Sequence, residues 1–259
     1  MEIPRIIMDK AYSSYEVQLK QEVLSRELPK HIAVIMDGNR RYAREMLDGC
    51  TFEGHRLGKE KLHEVMHWCR ELGIKYFTAY AFSTENFNRE QDEVDYLMDL
   101  LREALYEFGD DEEVHQYHVR IRVIGDRDML PEHVIEAIDY AESKTAGYED
   151  FTLNMAIAYG GRQDIVSAVR QIAQRVKDGE MDVEDIDESV ITSHISTNES
   201  PDPDMILRTS GELRISNFLL WQMAYSEFYF ADVNWPEFRY IDFLRAIRTY
   251  QQRKRRYGA

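Results

Sequence analysis

His31-Ile32-Ala33-Val34-Ile35-Met36-Asp37-Gly38-Asn39-Arg40-Arg41-Tyr42-Ala43 is the stretch that decides how this chain is read. The apolar run to Met36 fits a strand buried on both faces of a parallel sheet, whose C-terminal end reaches the edge where α/β proteins bind ligands. At that end stand one carboxylate, one glycine, one amide and two guanidinium groups, in the order Asp37, Gly38, Asn39, Arg40 and Arg41. Asp can hold a hard cation, Gly lets backbone N–H groups approach an anion, and paired Arg grip phosphate bidentately. Taken alone, the stretch suggests a magnesium–diphosphate site.

Working outward, strand-like and helix-like patterns alternate. A leading helix spans about Ala11 to Leu28 and ends at Pro29. A second spans about Gly54 to Leu72, with Leu62, Val65, Met66, Cys69 and Leu72 on one face and Gly73 as its stop. Ile74–Phe82 is a strand feeding the polar loop Ser83–Arg89, followed by a helix from about Gln91 to Phe108. His118–Ile124 is a strand, and Pro131 opens a helix. Phe151–Tyr159 is a strand, and Gly160-Gly161 starts a helix through about Lys177. Val183–Ile195 reads as a short helix, Met205–Leu207 and Phe228–Ala231 as strands, and Pro236 begins a terminal helix. The expected fold is α/β, with a single, mostly parallel central sheet flanked by helices through right-handed crossovers. No linker is rich in Pro, Gly or Ser, so the chain reads as one domain, with residues 1–28 an N-terminal helical extension to the body of residues 29–259.

The bulk composition narrows the function. A net charge of −16 over 259 residues argues against nucleic acid as the main partner, because non-specific binding there depends on cationic surface. Any anion must be held by a local Arg cluster acting within a Debye length of about 8 Å. Cys50 and Cys69 lie in no framework spacing and read as reduced thiols of a cytoplasmic protein. No apolar run reaches the ~18 residues of a membrane span.

Three loops that follow strands concentrate ligand-type groups: Asp37–Tyr42, Ser83–Arg89 and Arg208–Ser216. In a parallel sheet they share one edge and can converge on one cleft. Together they bring Arg40, Arg41, Arg89, Arg208 and Arg214, enough for two diphosphates. Beside them, Val94, Tyr96, Leu97, Leu100, Leu101, Ala104 and Leu105 recur at helical spacing. Periodicity alone makes these core residues; the sharper reading makes one side of the helix the wall of an apolar channel.

With these loops in hand, the chain resembles the cis-prenyltransferases, the family of undecaprenyl diphosphate synthase and the dehydrodolichyl diphosphate synthases. The likeness runs through Met36-Asp37-Gly38-Asn39, Ala81–Arg89, Gly160-Gly161-Arg162, Arg208–Glu212, Arg214–Gln222, Glu227 and Asn234–Phe238, covering roughly residues 29 to 258. Arg40 and Tyr42 look like the archaeal and eukaryotic branch. The resemblance implies an undecaprenyl diphosphate synthase-like fold with an apolar tunnel. It also implies condensation of isopentenyl diphosphate onto an allylic diphosphate with cis double bonds, giving the polyprenyl diphosphate precursor of a glycosyl carrier lipid.

By the same resemblance, Asp37 and Glu227 hold Mg²⁺, and Asp37 and Asn86 are catalytic. Gly38, Asn39, Arg40, Arg41, Tyr42 and His55 serve the allylic diphosphate. Arg208, Arg214, Ile215 and Ser216 serve isopentenyl diphosphate, and Ser83, Thr84, Glu85, Phe87 and Arg89 line the loop between. Asn is a poor base, so Asn86 is read as orienting substrate while a diphosphate oxygen takes the C2 proton. Arg256-Tyr257-Gly258 matches a C-terminal pattern that crosses a homodimer interface, so Arg256 and Gly258 complete the partner's site. The product goes to a membrane, with which the cytoplasmic protein associates peripherally.

The chain departs from the family at Thr51, where an Arg commonly stands, and at Leu213, where bacterial members tend to have His. A lost charge-assisted phosphate contact costs ~1.5–3 kcal/mol, so prenyl transfer is firmer than long-chain elongation, and a non-standard acceptor stays open. His63-Glu64-Val65-Met66-His67 spells HExxH, but no third His follows at metzincin spacing. Gly54–Glu60 falls one residue short of a P-loop, and Asp110–Val114 fails the DDxxD pattern of the all-α prenyltransferases. The rival of another class is a non-catalytic partner subunit, which generally lacks the catalytic Asp and Arg groups present here.

Overall fold

The computed structural model describes residues 5–253, with side chains from residue 14 onward. In chain order the elements are α1 (Arg5–Leu24), β1 (His31–Ile35), α2 (Asn39–Met46), α3 (Thr51–Leu72), β2 (Tyr76–Ser83), α4 (Gln91–Asp110) and α5 (Glu112–Gln116). Then follow β3 (Val119–Ile124), α6 (Glu132–Thr145), β4 (Phe151–Tyr159), α7 (Gly161–Lys177), α8 (Glu188–His194), β5 (Met205–Arg208), β6 (Glu227–Phe230) and α9 (Tyr240–Gln252). The strands form one six-stranded sheet in the order β3-β4-β2-β1-β5-β6. Every pairing is parallel, so the sheet expected to be mostly parallel is wholly so.

Register explains why distant loops meet. Ile35 lies level with Tyr80 of β2 and with Arg208 of β5, so Asp37, the loop after Ser83 and the loop after Arg208 leave the sheet at one edge. Alternation in β1 sends Ile32 and Val34 into the larger core under α3, α4, α6 and α9, and Ala33 and Ile35 to the opposite face under Phe218 and Leu219. Residues of β4 are buried throughout, which is why its sequence shows no polar alternation. Leu19 and Val23 of α1 are buried in the larger core, and α1 lies against α9.

Three local differences from the sequence reading have physical causes. The helix α2 escapes periodicity because Asn39–Met46 is almost entirely polar and only Ala43 is buried. The helix expected over Val183–Ile195 divides into a 3₁₀ turn, Val183–Asp185, and α8, because Asp182 and Asp187 each cap a separate start. The terminal helix begins at Tyr240 rather than Pro236: Trp235–Glu237 forms its own 3₁₀ turn, and Arg239 with Asp242 caps α9.

Candidate active site

The first loop is pinned by its backbone. Asp37 N–H donates to Thr209 Oγ1 at 3.0 Å, and the Thr209 hydroxyl returns a bond to Asp37 O at 2.6 Å. Trp235 N–H donates to the same carbonyl at 3.0 Å. Gly38 then turns with φ 105°, and a Cβ there would stand 2.6 Å from Asn234 Oδ1, so only glycine fits. The turn starts α2, whose first N–H groups have no partner within the helix. Asn39 settles on α3 because Gly54 and Gly58 lack side chains; a Cβ on Gly54 would come within 2.4 Å of Asn39 O.

Around this loop lies a cavity of about 260 Å³. Asp37, Asn39 and His55 line one wall, Ser83, Asn86 and Arg89 another, and Arg208, Arg214 and Ser216 a third. The three loops picked out in the sequence thus share one site. Met36, Tyr80 and Ala81, none of them among the expected site residues, also line it.

The cavity's arginines are each held by a carboxylate of this chain. Arg208, whose side chain is only 4% exposed, donates to Asp37 Oδ2 at 2.6 Å, and also to Ser216 Oγ at 2.8 Å. Arg41 donates to Glu212 Oε1 and to Ser210 O, both at 2.7 Å, and Arg214 donates to the other oxygen of Glu212. Arg89 donates to Glu93 Oε1 at 2.7 Å, and Arg40 Nε lies 3.7 Å from the same atom. His55 Nε2 reaches that oxygen too, at 3.1 Å. Burial opposes ionising Glu93, yet the bond from His55 and the guanidinium groups of Arg89 and Arg40 hold its carboxyl below the usual range. The hydrogen bonds from Arg41 and Arg214 do the same for Glu212. Burial lowers His55 below the ordinary histidine value.

Asn86 has a structural duty that limits its chemistry. Its Oδ1 accepts the Ser83 N–H at 3.0 Å, closing a capping box around the turn Thr84–Asn88. That bond fixes the amide orientation, which leaves Nδ2 as the end available for a ligand.

Next to the polar cavity is an apolar pocket of about 70 Å³ sharing Met36, Asn39, His55, Ala81 and Leu97 with it. Leu62 and Gly58 of α3 face Leu100, Leu101 and Ala104 of α4 across it, over Met155. Tyr96 lies elsewhere: its ring packs on Phe52 at 4.4 Å.

The remaining expected site residues take other places. Gly38, Arg40, Arg41 and Tyr42 flank the cavity rather than line it. Glu85 accepts from Asn217 Nδ2 at 3.0 Å, Phe87 packs edge-on against Phe82, and Thr84 Oγ1 is buried without a partner among the described residues. Ile215 is half-buried within the third loop. Glu227 and Asp37, expected to share a metal, do not meet within one chain. Glu227 sits three residues before Phe230, which lies level with Arg208 and Ile35, so it is back along the strand by about 10 Å. There Arg253 donates to it at 2.7 Å. Arg256 and Gly258 lie outside the described residues. Of the HExxH pair, His63 stacks on Phe108 at 4.1 Å and His67 lies 3.5 Å from Glu113. The main residue that sequence reasoning missed is Glu93; its i, i+4 spacing from Arg89 was the available signal.

An arginine-rich mouth opening onto an apolar pocket, at the C-terminal edge of a parallel sheet, suits an α/β protein that handles a diphosphate bearing a hydrocarbon tail. The family model described as "Putative undecaprenyl diphosphate synthase" matches residues 35–258, and the chain belongs to that family. It is 54% identical over 246 residues to a protein of Methanocaldococcus jannaschii named tritrans,polycis-undecaprenyl-diphosphate synthase (geranylgeranyl-diphosphate specific), covering 94% of this chain and 88% of the relative. A protein of the same name from Thermococcus kodakarensis is 51% identical over 256 residues, covering 99% and 97%. Among solved structures, lavandulyl diphosphate synthase from Lavandula x intermedia, in complex with dimethylallyl diphosphate, superposes with a TM-score of 0.83. That match has 38% identity over 92% of this chain and 100% of the other. A probable undecaprenyl diphosphate synthase from Campylobacter jejuni gives a TM-score of 0.73 at 34% identity, covering 90% and 99%.

Proposed function

We propose that this chain condenses isopentenyl diphosphate with an allylic prenyl diphosphate, forming cis double bonds and extending the product to a polyprenyl diphosphate. The observation that carries the reading is the ion pair between buried Arg208 and Asp37, set where three loops meet and beside an apolar pocket. Family relatives named as geranylgeranyl-diphosphate specific support that molecule as primer.

Each part of the site has a task. The unpartnered N–H groups at the start of α2 and the guanidinium of Arg41 receive the allylic diphosphate, whose negative charge grows as its C–O bond breaks. Arg208, Arg214 and Ser216 hold isopentenyl diphosphate, charge-assisted and partly bidentate. The Asn86 amide N–H₂ orients that substrate, and a diphosphate oxygen takes the C2 proton. Burial of a tail contributes about 0.8 kcal/mol per CH₂, which draws each added unit between α3 and α4.

A divalent cation fits the donor chemistry here. Magnesium is commonly held by one or two carboxylates together with substrate phosphates, and Asp37, about one-third exposed on the cavity wall, is such a carboxylate. Bound there, the ion would neutralise diphosphate charge. Residues 29–259 carry the catalysis, with α1 bracing α9. A homodimer is part of the reading: β6 is an edge strand, and Leu213 and Tyr225 are each 77% exposed. Delivery of the product to a membrane follows from its length.

The test supplies purified chain with labelled isopentenyl diphosphate, Mg²⁺ and geranylgeranyl or shorter allylic diphosphates. Label should enter long cis-polyprenyl products, best with the twenty-carbon primer; absence of labelled product with every primer would refute the reading. Light scattering on the same sample gives the oligomeric state.

A further inference from the structure

Glu93 gathers three nitrogen-bearing side chains at the rim of the allylic diphosphate seat. Its carboxylate is 10% exposed and takes His55 Nε2 at 3.1 Å, Arg89 at 2.7 Å and Arg40 at 3.7 Å, all on Oε1. An ionised carboxylate only accepts hydrogen bonds, so His55 Nε2 must carry a hydrogen. In the neutral ring Nδ1 is then a bare acceptor, and it has no hydrogen bond among the described residues. His55 lines both the polar cavity and the apolar pocket. An acceptor there has the wrong polarity for an entering diphosphate. A second ring proton would reverse it.

We propose that Glu93 is a positioning residue: it fixes the His55 ring and lets it take up a proton when a diphosphate enters, so that Nδ1–H donates to the departing group. The proposal rests on the prenyl-transfer reading. The proton comes from water on binding, and the C–O bond that breaks is unchanged. Every charged group facing His55 has a part. Burial, with Arg89 and Arg40 nearby, keeps the ring neutral before ligand arrives, and Glu93 opposes them. Lys59, one turn on along α3, is engaged by Glu107 at 2.8 Å. An entering diphosphate adds negative charge and draws on both guanidinium groups, leaving the imidazolium between two anions.

The experiment compares wild type with Glu93→Gln, which keeps the shape and an acceptor but removes the charge. Binding of inorganic diphosphate is measured calorimetrically near pH 7 in two buffers of different ionisation enthalpy. Wild type should take up a proton, and Glu93→Gln should lose most of that uptake. Its kcat for a single condensation should fall roughly 100-fold, with KM for the allylic substrate little changed. The alkaline limb of kcat should move to lower pH, since less of the ring stays charged. Should the variant not fold, nitrogen NMR of His55 in wild type decides: Nε2–H alone without ligand, both nitrogens protonated with inorganic diphosphate. Unchanged uptake and kcat in Glu93→Gln, or a neutral His55 in the diphosphate complex, would overturn the proposal while wild type stays active. A wild type that makes no labelled product overturns the parent reading, and this one with it.

Discussion

The two ends of the central strands bury polar groups of opposite kinds. At the N-terminal end, His31 donates from Nδ1 to Pro201 O at 2.6 Å and accepts from the Thr78 hydroxyl at Nε2, 2.8 Å away. Asn154 Nδ2 donates to Thr78 Oγ1 and to Ser200 Oγ, both at 3.1 Å. These four side chains form an uncharged network, with Asn154 Oδ1 left without a hydrogen-bond partner among the described residues. At the C-terminal end, the groups are ionised and paired across loops, and the Arg208–Asp37 pair opens to a cavity. The difference teaches what each end is for. Neutral hydrogen bonds with fixed partners hold the strands in place, whereas charged pairs can be traded for a ligand that brings stronger charge.

Arg208→Ala should strike the charged end hardest. If Arg208 holds a substrate diphosphate as proposed, losing that preorganised donor predicts a fall in kcat/KM of roughly 10²–10³-fold, measured with geranylgeranyl diphosphate. The thermal midpoint should move less than on any change to His31. A large loss of stability without a larger loss of rate would erase the contrast between the ends.

The neutral end answers to acid instead. Burial pushes His31 down to about 4 from an ordinary 6.5. Between those values the unfolded chain binds the proton that the folded chain refuses, so stability falls as pH drops from 6.5 to about 4 and levels off below. The full drop is on the order of 3 kcal/mol. Urea titrations at pH 7 and 4.5 should show it, and His31→Gln should flatten the slope.

Next in size comes the apolar pocket that adjoins the charged end. Ala104→Phe should fill the space across from Leu62 and shorten the polyprenyl products, resolved by chromatography of the dephosphorylated alcohols, with little change in the rate of the first condensation. The smallest effect is expected of Thr51→Arg. Thr51 begins α3 one turn before His55, and an added guanidinium there is worth about 0.2–1 kcal/mol, as for exposed ion pairs. A few-fold lower KM for the allylic diphosphate would bring the charged end nearer the family pattern.

Much of this contrast could be read from the chain itself, unevenly. The strands at β1 and β4 and the start of α7 are written in apolar runs and a Gly-Gly step, and the three loops declare themselves by arginine density. The helix α2 left no periodic trace, because its packing relies on glycines of α3 rather than on its own side chains. Glu93 looked like one acid among many on α4, and its meaning came only from the fold that set His55 and Arg40 against it. Glu227 shows the opposite limit: within one chain, strand register sets this motif carboxylate back along β6 beside Arg253 rather than next to Asp37. Residue type reports chemistry; register decides company.

One contact carries a mechanical consequence. Asn39 rests on the bare faces of Gly54 and Gly58 with no flexible side chain to cushion it. The helix that walls the apolar pocket is thus braced against the turn proposed to seat the head group. A tail long enough to wedge α3 away from α4 would tug on that seat, so crowding at the far end of the product would loosen the grip on its reactive end. The protein would carry its own ruler.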